Sequence, residues 1–162
     1  MNPLEYAIEM GYDGERYYRE QAEINKNNSL YSVCLLLADE EKKHALVLTN
    51  KLNEKPYELK DSDTFGHAKN IFNDIGNIKV DGKETPDQLD FYKIALDMEK
   101  QSIDLYRDFL AKTTEKKEKE LFAYLIKEEQ QYYEFLEELV SLLRHGEEWV
   151  ESAEFGTRKY PY

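Results

Sequence analysis

An internal repeat is the sequence feature that most constrains the fold. After a shift of 88 residues, identical residues coincide without a gap, and they fall at the three- and four-residue spacings of an amphipathic helix. The coinciding residues are Ala7 and Ala95, Met10 and Met98, Tyr18-Arg19 and Tyr106-Arg107, Leu37 and Leu125, Glu40-Glu41 and Glu128-Glu129, and Leu48 and Leu136. Because the matches cover both helices of each half, we interpret the chain as two copies of one helical hairpin.

Apolar periodicity, prolines and glycines divide the two copies into four helices. We predict helices over about 4–24, 29–53 and 115–145, and a further helix before the last whose inward stripe runs from Tyr92 to Leu110. The third begins at a capping box with proline at the first helical position, Thr85-Pro86-Asp87-Gln88, and Gly146 follows the end of the fourth. We expect the bundle to occupy 1–146, and a C-terminal tail, 147–162, to pack on it or extend from it.

The loop lengths predict the topology. A few residues join the helices of each pair, so each pair is an antiparallel hairpin. About thirty residues connect the hairpins, enough to run the length of a bundle, and they include a short predicted helix near His67–Asn77. The predicted fold is therefore all-α: a ferritin-like antiparallel four-helix bundle with one long crossover.

Composition narrows the class of protein. The 162 residues carry a net charge of −12 and one cysteine, Cys34. An acidic chain is a poor partner for nucleic acids or anionic membranes, and one cysteine cannot form a disulfide framework or a Cys₄ iron centre. No apolar stretch approaches the roughly 18 residues of a membrane helix, and the N-terminus lacks the pattern of a signal peptide. We expect a cytoplasmic protein that binds neither nucleic acid nor a membrane.

Polar residues interrupt the apolar stripes at matching heights. Glu41 and His44 are three residues apart on one face of the second helix, and Glu99 and Glu129 lie at equivalent levels of the third and fourth. Carboxylates buried together repel one another, and burial of each costs several kcal/mol unless a cation compensates. A divalent metal resolves that conflict, and a Glu-x-x-His pair supplies an oxygen and a nitrogen ligand together.

Over nearly its whole length the chain resembles the rubrerythrin-type branch of the ferritin-like superfamily. The resemblance rests on Glu41-Lys42-Lys43-His44, Ala95-Leu96-Asp97-Met98-Glu99, Glu128-Glu129 and the tail Gly146-Glu147-Glu148-Trp149-Val150-Glu151. In that family, one glutamate from each of helices 1 and 3 and a Glu-x-x-His from each of helices 2 and 4 hold two irons. The resemblance implies that Glu41, His44, Glu99 and Glu129 are metal ligands.

Two positions depart from the family pattern. The repeat places Gly11 where helix 1 would supply a glutamate, and Tyr132 where helix 4 would supply a histidine. Each metal of the family's pair therefore lacks one ligand. Glu15, one turn beyond Gly11, could substitute, and Tyr132 could either ligate the metal or block the site. Tyr18 and Tyr106 occupy equivalent positions seven residues past Gly11 and Glu99, where each could hydrogen-bond to a ligand or simply pack.

The resemblance also implies a function. We expect a non-haem metal protein with an incomplete di-metal site. It would hold iron, as one or two ions or none, and be an oxidoreductase that oxidises ferrous iron with peroxide or oxygen. We expect neither haem nor a rubredoxin-type centre, so a separate partner would supply electrons. The resemblance and the aromatic tail Tyr160-Pro161-Tyr162 favour a homodimer. The alternative is a non-catalytic structural or partner-binding bundle that has lost its metal.

Overall fold

A computed structural model describes residues 2–63, 66–67, 70–71 and 86–155, and within these residues the chain forms helices and no strands. Four long helices follow one another: α1 (Pro3–Ile24), α2 (Leu30–Leu52), α3 (Pro86–Lys112) and α4 (Lys116–Phe155). α1 packs against α2, and α3 packs against α4. The chain forms the all-α four-helix bundle that the sequence predicts.

Local chemistry explains where the helices begin. The Asn2 side chain accepts a hydrogen bond of 2.8 Å from the backbone N–H of Glu5, and Pro3 needs no such partner at the first helical position. Pro86 likewise opens α3, as predicted, whereas Thr85 of the predicted capping box lies outside the described residues.

The predicted end of the last helix is wrong. α4 continues through Gly146 to Phe155 instead of ending at His145. A single glycine costs a helix interior only about 1 kcal/mol, and residues 147–155 contain no proline to stop the helix. The proposed boundary between bundle and tail at 146/147 stays a prediction.

Part of the crossover is described. Residues 66, 67, 70 and 71 are helical, and the rest of the short helix predicted near 67–77 lies outside the described residues. The preceding segment lies against α4, where the Tyr124 hydroxyl donates a 2.5 Å hydrogen bond to the carbonyl of Lys60. Among the described residues, no helix is both long and apolar enough to cross a membrane.

Two apolar clusters form the core. The upper cluster includes Tyr18, Leu30, Leu37, Phe91, Tyr92, Tyr132 and Leu136. The lower cluster includes Leu4, Ala7, Leu48, Tyr106, Leu121, Phe122 and Leu125. Each cluster draws on all four helices, and the buried glutamates and His44 lie on the turns between them.

Candidate metal centre

A buried polar layer separates the two apolar clusters. α2 contributes three of its side chains, α3 one and α4 two, so both hairpins build it. Spacings of three and four residues bring the side chains of α2 onto one face. The layer consists of Glu40, Glu41, His44, Glu99, Glu128 and Glu129.

Three of these carboxylates form an inner group. Glu41, Glu99 and Glu129 each place one oxygen within 4.8 Å of the others. Burial raises the pKa of Glu41 and of Glu99 well above the ordinary value, and the charge of Glu129 raises both further. Burial also opposes ionisation of Glu129, but its interactions with Glu99 and His44 outweigh burial and lower its pKa. The negative charge of the inner group therefore resides mainly on Glu129.

The Glu99 carboxylate is only partly satisfied. The Tyr18 hydroxyl donates a hydrogen bond of 3.1 Å to Glu99 Oε1. Glu99 Oε2 is buried and accepts no hydrogen bond from the described residues, although the neutral carboxyl group can donate one to Glu129. A buried carboxylate oxygen without a donor is costly when ionised, so this atom is suited to bind a cation.

His44 lies between the inner group and a second group. Its Nδ1 is 3.1 Å from Glu129 Oε1, and its Nε2 is 3.8 Å from both Glu40 Oε2 and Glu128 Oε1. Burial disfavours the charged imidazole, but the carboxylates of Glu128 and Glu129 outweigh it and raise the pKa of His44 to about 10. In this structure the imidazolium supplies the positive charge between the two groups.

The negative charges of the outer group, Glu40 and Glu128 beside His44, are stabilised by neighbouring side chains. Lys43 Nζ lies 3.5 Å from Glu128 Oε1 and 4.0 Å from Glu40 Oε2. The Ser62 hydroxyl contacts Glu40 Oε2 at 2.8 Å and Glu128 Oε1 at 2.5 Å. Burial alone would raise the pKa of Glu128, but hydrogen bonds from its neighbours lower it to about 2.

The sequence interpretation missed this outer group. The repeat does pair Glu40-Glu41 with Glu128-Glu129, which indicates that both glutamates of each pair occupy equivalent places. The helical stripes, however, include only the second glutamate of each pair. Ser62, from the crossover, gave no signal of its own.

α1 presents a glycine to the polar layer where the sequence offers Glu15 as a substitute ligand. The Glu15 carboxylate forms an ion pair with Arg19 Nη2 at 2.7 Å and belongs to neither acidic group. The buried residue on this turn is Gly14, and a Cβ at Gly14 would lie 3.2 Å from Glu41 Oε2. Gly11, one turn earlier, faces the Cβ of Ala45, where an added Cβ would lie at 3.1 Å. The two glycines therefore allow close approach of α1 to α2.

The three tyrosines singled out from the sequence are all buried. Tyr18 belongs to the upper cluster, and Tyr106 belongs to the lower cluster, where its ring stacks on Phe122 at 6.2 Å. Burial raises the pKa of Tyr106, and the three inner carboxylates raise it further. Tyr132 packs in the upper cluster with its ring edge-on to Phe135. Whether Tyr132 is a ligand or a blocker stays a prediction.

Comparison with known proteins places the chain. The Rubrerythrin family model matches residues 2–140, which include α1, α2, α3, the first part of α4 and the whole polar layer. A search of curated proteins and a search of solved structures each found no match.

Proposed function

The chain belongs to the rubrerythrin family, and from that premise we propose that it binds iron in the polar layer through Glu41, His44, Glu99 and Glu129. The single observation that carries this proposal is the inner group itself. Three buried carboxylates offer oxygens within 4.8 Å of one another, and Glu99 Oε2 accepts no hydrogen bond from the described residues. Clustered carboxylate oxygens of this kind are ligands that divalent cations prefer.

The donor set fits iron. Carboxylate oxygens and an imidazole nitrogen together suit ferrous iron, whereas a site for a softer ion would contain thiolates. His44 points Nδ1 at the inner group, where it would be the ligand. Its Nε2 lies 3.8 Å from Glu40 and from Glu128, beyond hydrogen-bond distance, and their negative charges favour a proton on Nε2, which is the tautomer that ligation through Nδ1 needs.

The surrounding residues have separable roles in this proposal. Tyr18 fixes the orientation of Glu99 by its hydrogen bond, and Glu40 and Glu128 orient His44 from outside the inner group. The apolar clusters on both sides restrict water. When bound, iron would supply one-electron redox chemistry, with peroxide or oxygen as the oxidant of ferrous iron.

We propose one ion per chain. Gly11 and Tyr132 stand at two positions where the family pattern has ligands, and Glu15 is held by Arg19. The four remaining donors, together with water, are enough for a single ion but leave a pair under-coordinated. The outer carboxylates do not offer a second site of equal quality, because the ammonium group of Lys43 and the Ser62 hydroxyl already partly compensate them.

The wider setting is part of the same proposal. We propose a cytoplasmic homodimer that receives electrons from a separate donor. The one cysteine of these 162 residues, Cys34, cannot by itself hold a rubredoxin-type iron.

A second candidate function is a bundle that needs no metal. It is favoured by positively charged side chains that already lie beside the carboxylates. His44 lies 3.1 Å from Glu129, and Lys43 contacts Glu128 of the outer group. In that case the chain would be a structural or partner-binding member of its family.

Iron content distinguishes the two candidates. Untagged protein is incubated with ferrous iron without oxygen, desalted and measured by plasma mass spectrometry. We expect about one iron per chain, lost in His44→Ala and in Glu99→Gln but retained in the control His67→Ala, whose side chain is exposed. Wild-type protein that retains no iron would support the metal-free bundle instead.

A further inference from the structure

A groove between α1 and α3 reaches the polar layer from the surface. It has a volume of about 350 Å³, and its wall includes Gly14 on α1 and Gln101 and Ser102 on α3. Glu41, from α2, lies at its inner end. The groove is thus a path from solvent to an inner carboxylate.

Gly14 is the opening of this path. Its missing side chain leaves the space in which the Glu41 carboxylate lies, since a Cβ there would be 3.2 Å from Oε2 and 3.3 Å from Cδ of Glu41. Any other residue at this position would stand between the groove and the carboxylate.

The groove carries the charge that suits a cation. Glu9 and Asp13 are exposed on its rim, and its described lining contains no lysine, arginine or histidine. Arg16 pairs with Asp13 at 3.0 Å, but both side chains are exposed and such a pair is weak. Acidic rims of this kind concentrate cations and raise their association rates.

Next to Glu41 in the inner group lies a second oxygen that a cation could bind. Glu99 Oε2, buried in the same group as Glu41, accepts no hydrogen bond from the described residues. A cation that passes Glu41 would therefore gain an additional oxygen ligand.

The opposite side of the layer is less suited to entry. There Ser62 of the crossover covers Glu40 and Glu128, and the ammonium group of Lys43 lies 3.5 Å from Glu128. A cation approaching from that side would meet a positive charge and a hydrogen-bonded cover.

We propose that the groove between α1 and α3 is the port through which a hydrated divalent cation enters the inner group. Gly14 is its aperture, and Glu9 and Asp13 attract the cation to it. This inference rests on the proposed function, because it names the route to the same site.

Charge-matched variants test the rim. Cobalt(II) is mixed with metal-free protein, and the rise of its visible absorption gives the rate constant of loading. Glu9→Gln/Asp13→Asn is compared with Glu20→Gln/Glu23→Gln, which removes the same charge from exposed positions of α1 outside the groove. We expect loading to slow about three- to tenfold in the first variant and less than about twofold in the second, with the difference lost at high salt.

Matched glycine variants test the aperture. Gly14→Ala should slow loading at least about tenfold while the final cobalt per chain stays unchanged, whereas Gly11→Ala, which faces Ala45, should load at nearly the wild-type rate. If Gly14→Ala also lowers the final cobalt content, the loading rate of Gln101→Trp is measured instead. This substitution narrows the groove from its exposed wall, so it should slow loading.

The outcomes separate the two proposals. Wild-type protein that loads cobalt, with all groove variants loading equally fast, would overturn the port and leave the metal site in place. Equal slowing in Gly14→Ala and Gly11→Ala would also overturn it, since the effect would then come from disturbed packing of α1 on α2 and not from the aperture. Wild-type protein that retains no cobalt would overturn the proposed function itself.

Discussion

At the scale of single residues, Glu99 shows how a buried carboxyl group weakens the fold that holds it. The side chain is 2% exposed, and burial and Glu129 favour its neutral form. Glutamine has nearly the shape of that neutral form and keeps an oxygen for the Tyr18 hydroxyl. We therefore expect Glu99→Gln to raise the unfolding free energy of the metal-free protein by about 1 kcal/mol. Urea denaturation of the two metal-free proteins measures this difference in unfolding free energy.

The control for this prediction lies two residues away. Asp97 is exposed on the same helix, so Asp97→Asn makes the same chemical change at a position where no carboxyl group is buried. It should leave the urea midpoint almost unchanged. A Glu99→Gln protein that unfolds at lower urea than the wild type would show that the carboxylate stabilises the layer even without metal.

Cys34 provides a pH-dependent prediction away from the layer. Burial raises the pKa of this thiol from 9.0 to about 12. Above pH 9 the unfolded chain loses the thiol proton while the folded chain keeps it, so stability falls as pH rises. We expect the unfolding free energy of the wild type to drop by about 1 kcal/mol more between pH 9 and pH 10 than that of Cys34→Ala. Parallel curves in the two proteins would contradict this assignment.

The residues that the sequence could and could not identify differ in one physical respect. Glu41, His44, Glu99 and Glu129 follow from helical periodicity, because each lies on a stripe whose other members are apolar. Glu128 lies beside its stripe, and the crossover residue Ser62 helps to satisfy it. Periodicity within a helix carries no information about what a distant loop covers.

At the scale of elements, the same limit applies to helix ends. Pro3 predicts the start of α1 to within one residue. Gly146 does not end α4, which continues through it. A glycine near a helical pattern is compatible with a helix that stops in a left-handed turn and with one that continues. The choice depends on the residues that follow.

Gly146→Ala distinguishes the two arrangements experimentally. If the helix continues, alanine should stabilise it, raising the unfolding free energy by up to about 1 kcal/mol and the helical circular dichroism slightly. If Gly146 instead adopted a left-handed conformation at a helix end, the same substitution would destabilise the protein. The sign of the change in urea midpoint therefore decides.

The crossover is an element held by side chains. Ser62 contacts both outer carboxylates, and Lys43 donates to its hydroxyl at 3.0 Å. Ser62→Ala removes these bonds and leaves Glu128 buried with fewer donors. We expect a loss of about 1–3 kcal/mol in unfolding free energy and faster proteolytic cleavage in the crossover. Ser32→Ala, on the exposed face of α2, is the matched control and should change neither.

At the scale of the whole molecule, the polar layer divides the core. The upper and lower clusters each bury apolar side chains from all four helices, whereas the layer between them buries five carboxylates and one imidazole. The hydrophobic gain of the clusters must offset the cost of that layer, because burial of a charge is unfavourable without compensation. The apolar clusters therefore stabilise the bundle, and the polar layer between them is its costliest part to bury.

A metal ion would change that balance for the molecule as a unit. Glu41 and His44 belong to the α1–α2 hairpin, and Glu99 and Glu129 belong to the α3–α4 hairpin, so ligation would join the two. With free ferrous iron at about 100 times its dissociation constant, the folded state gains about 2.7 kcal/mol. We expect thermal unfolding without oxygen to remain a single transition and to shift upward with iron.

The control for the iron-dependent shift is Glu99→Gln. It should unfold at the same temperature with and without iron, because it lacks the carboxylate of α3 while both hairpins stay folded. If iron raised the melting temperature of this variant as much as that of the wild type, the ion would be binding elsewhere, for example at the acidic surface. If iron split the wild-type transition in two, ligation would be confined to one hairpin.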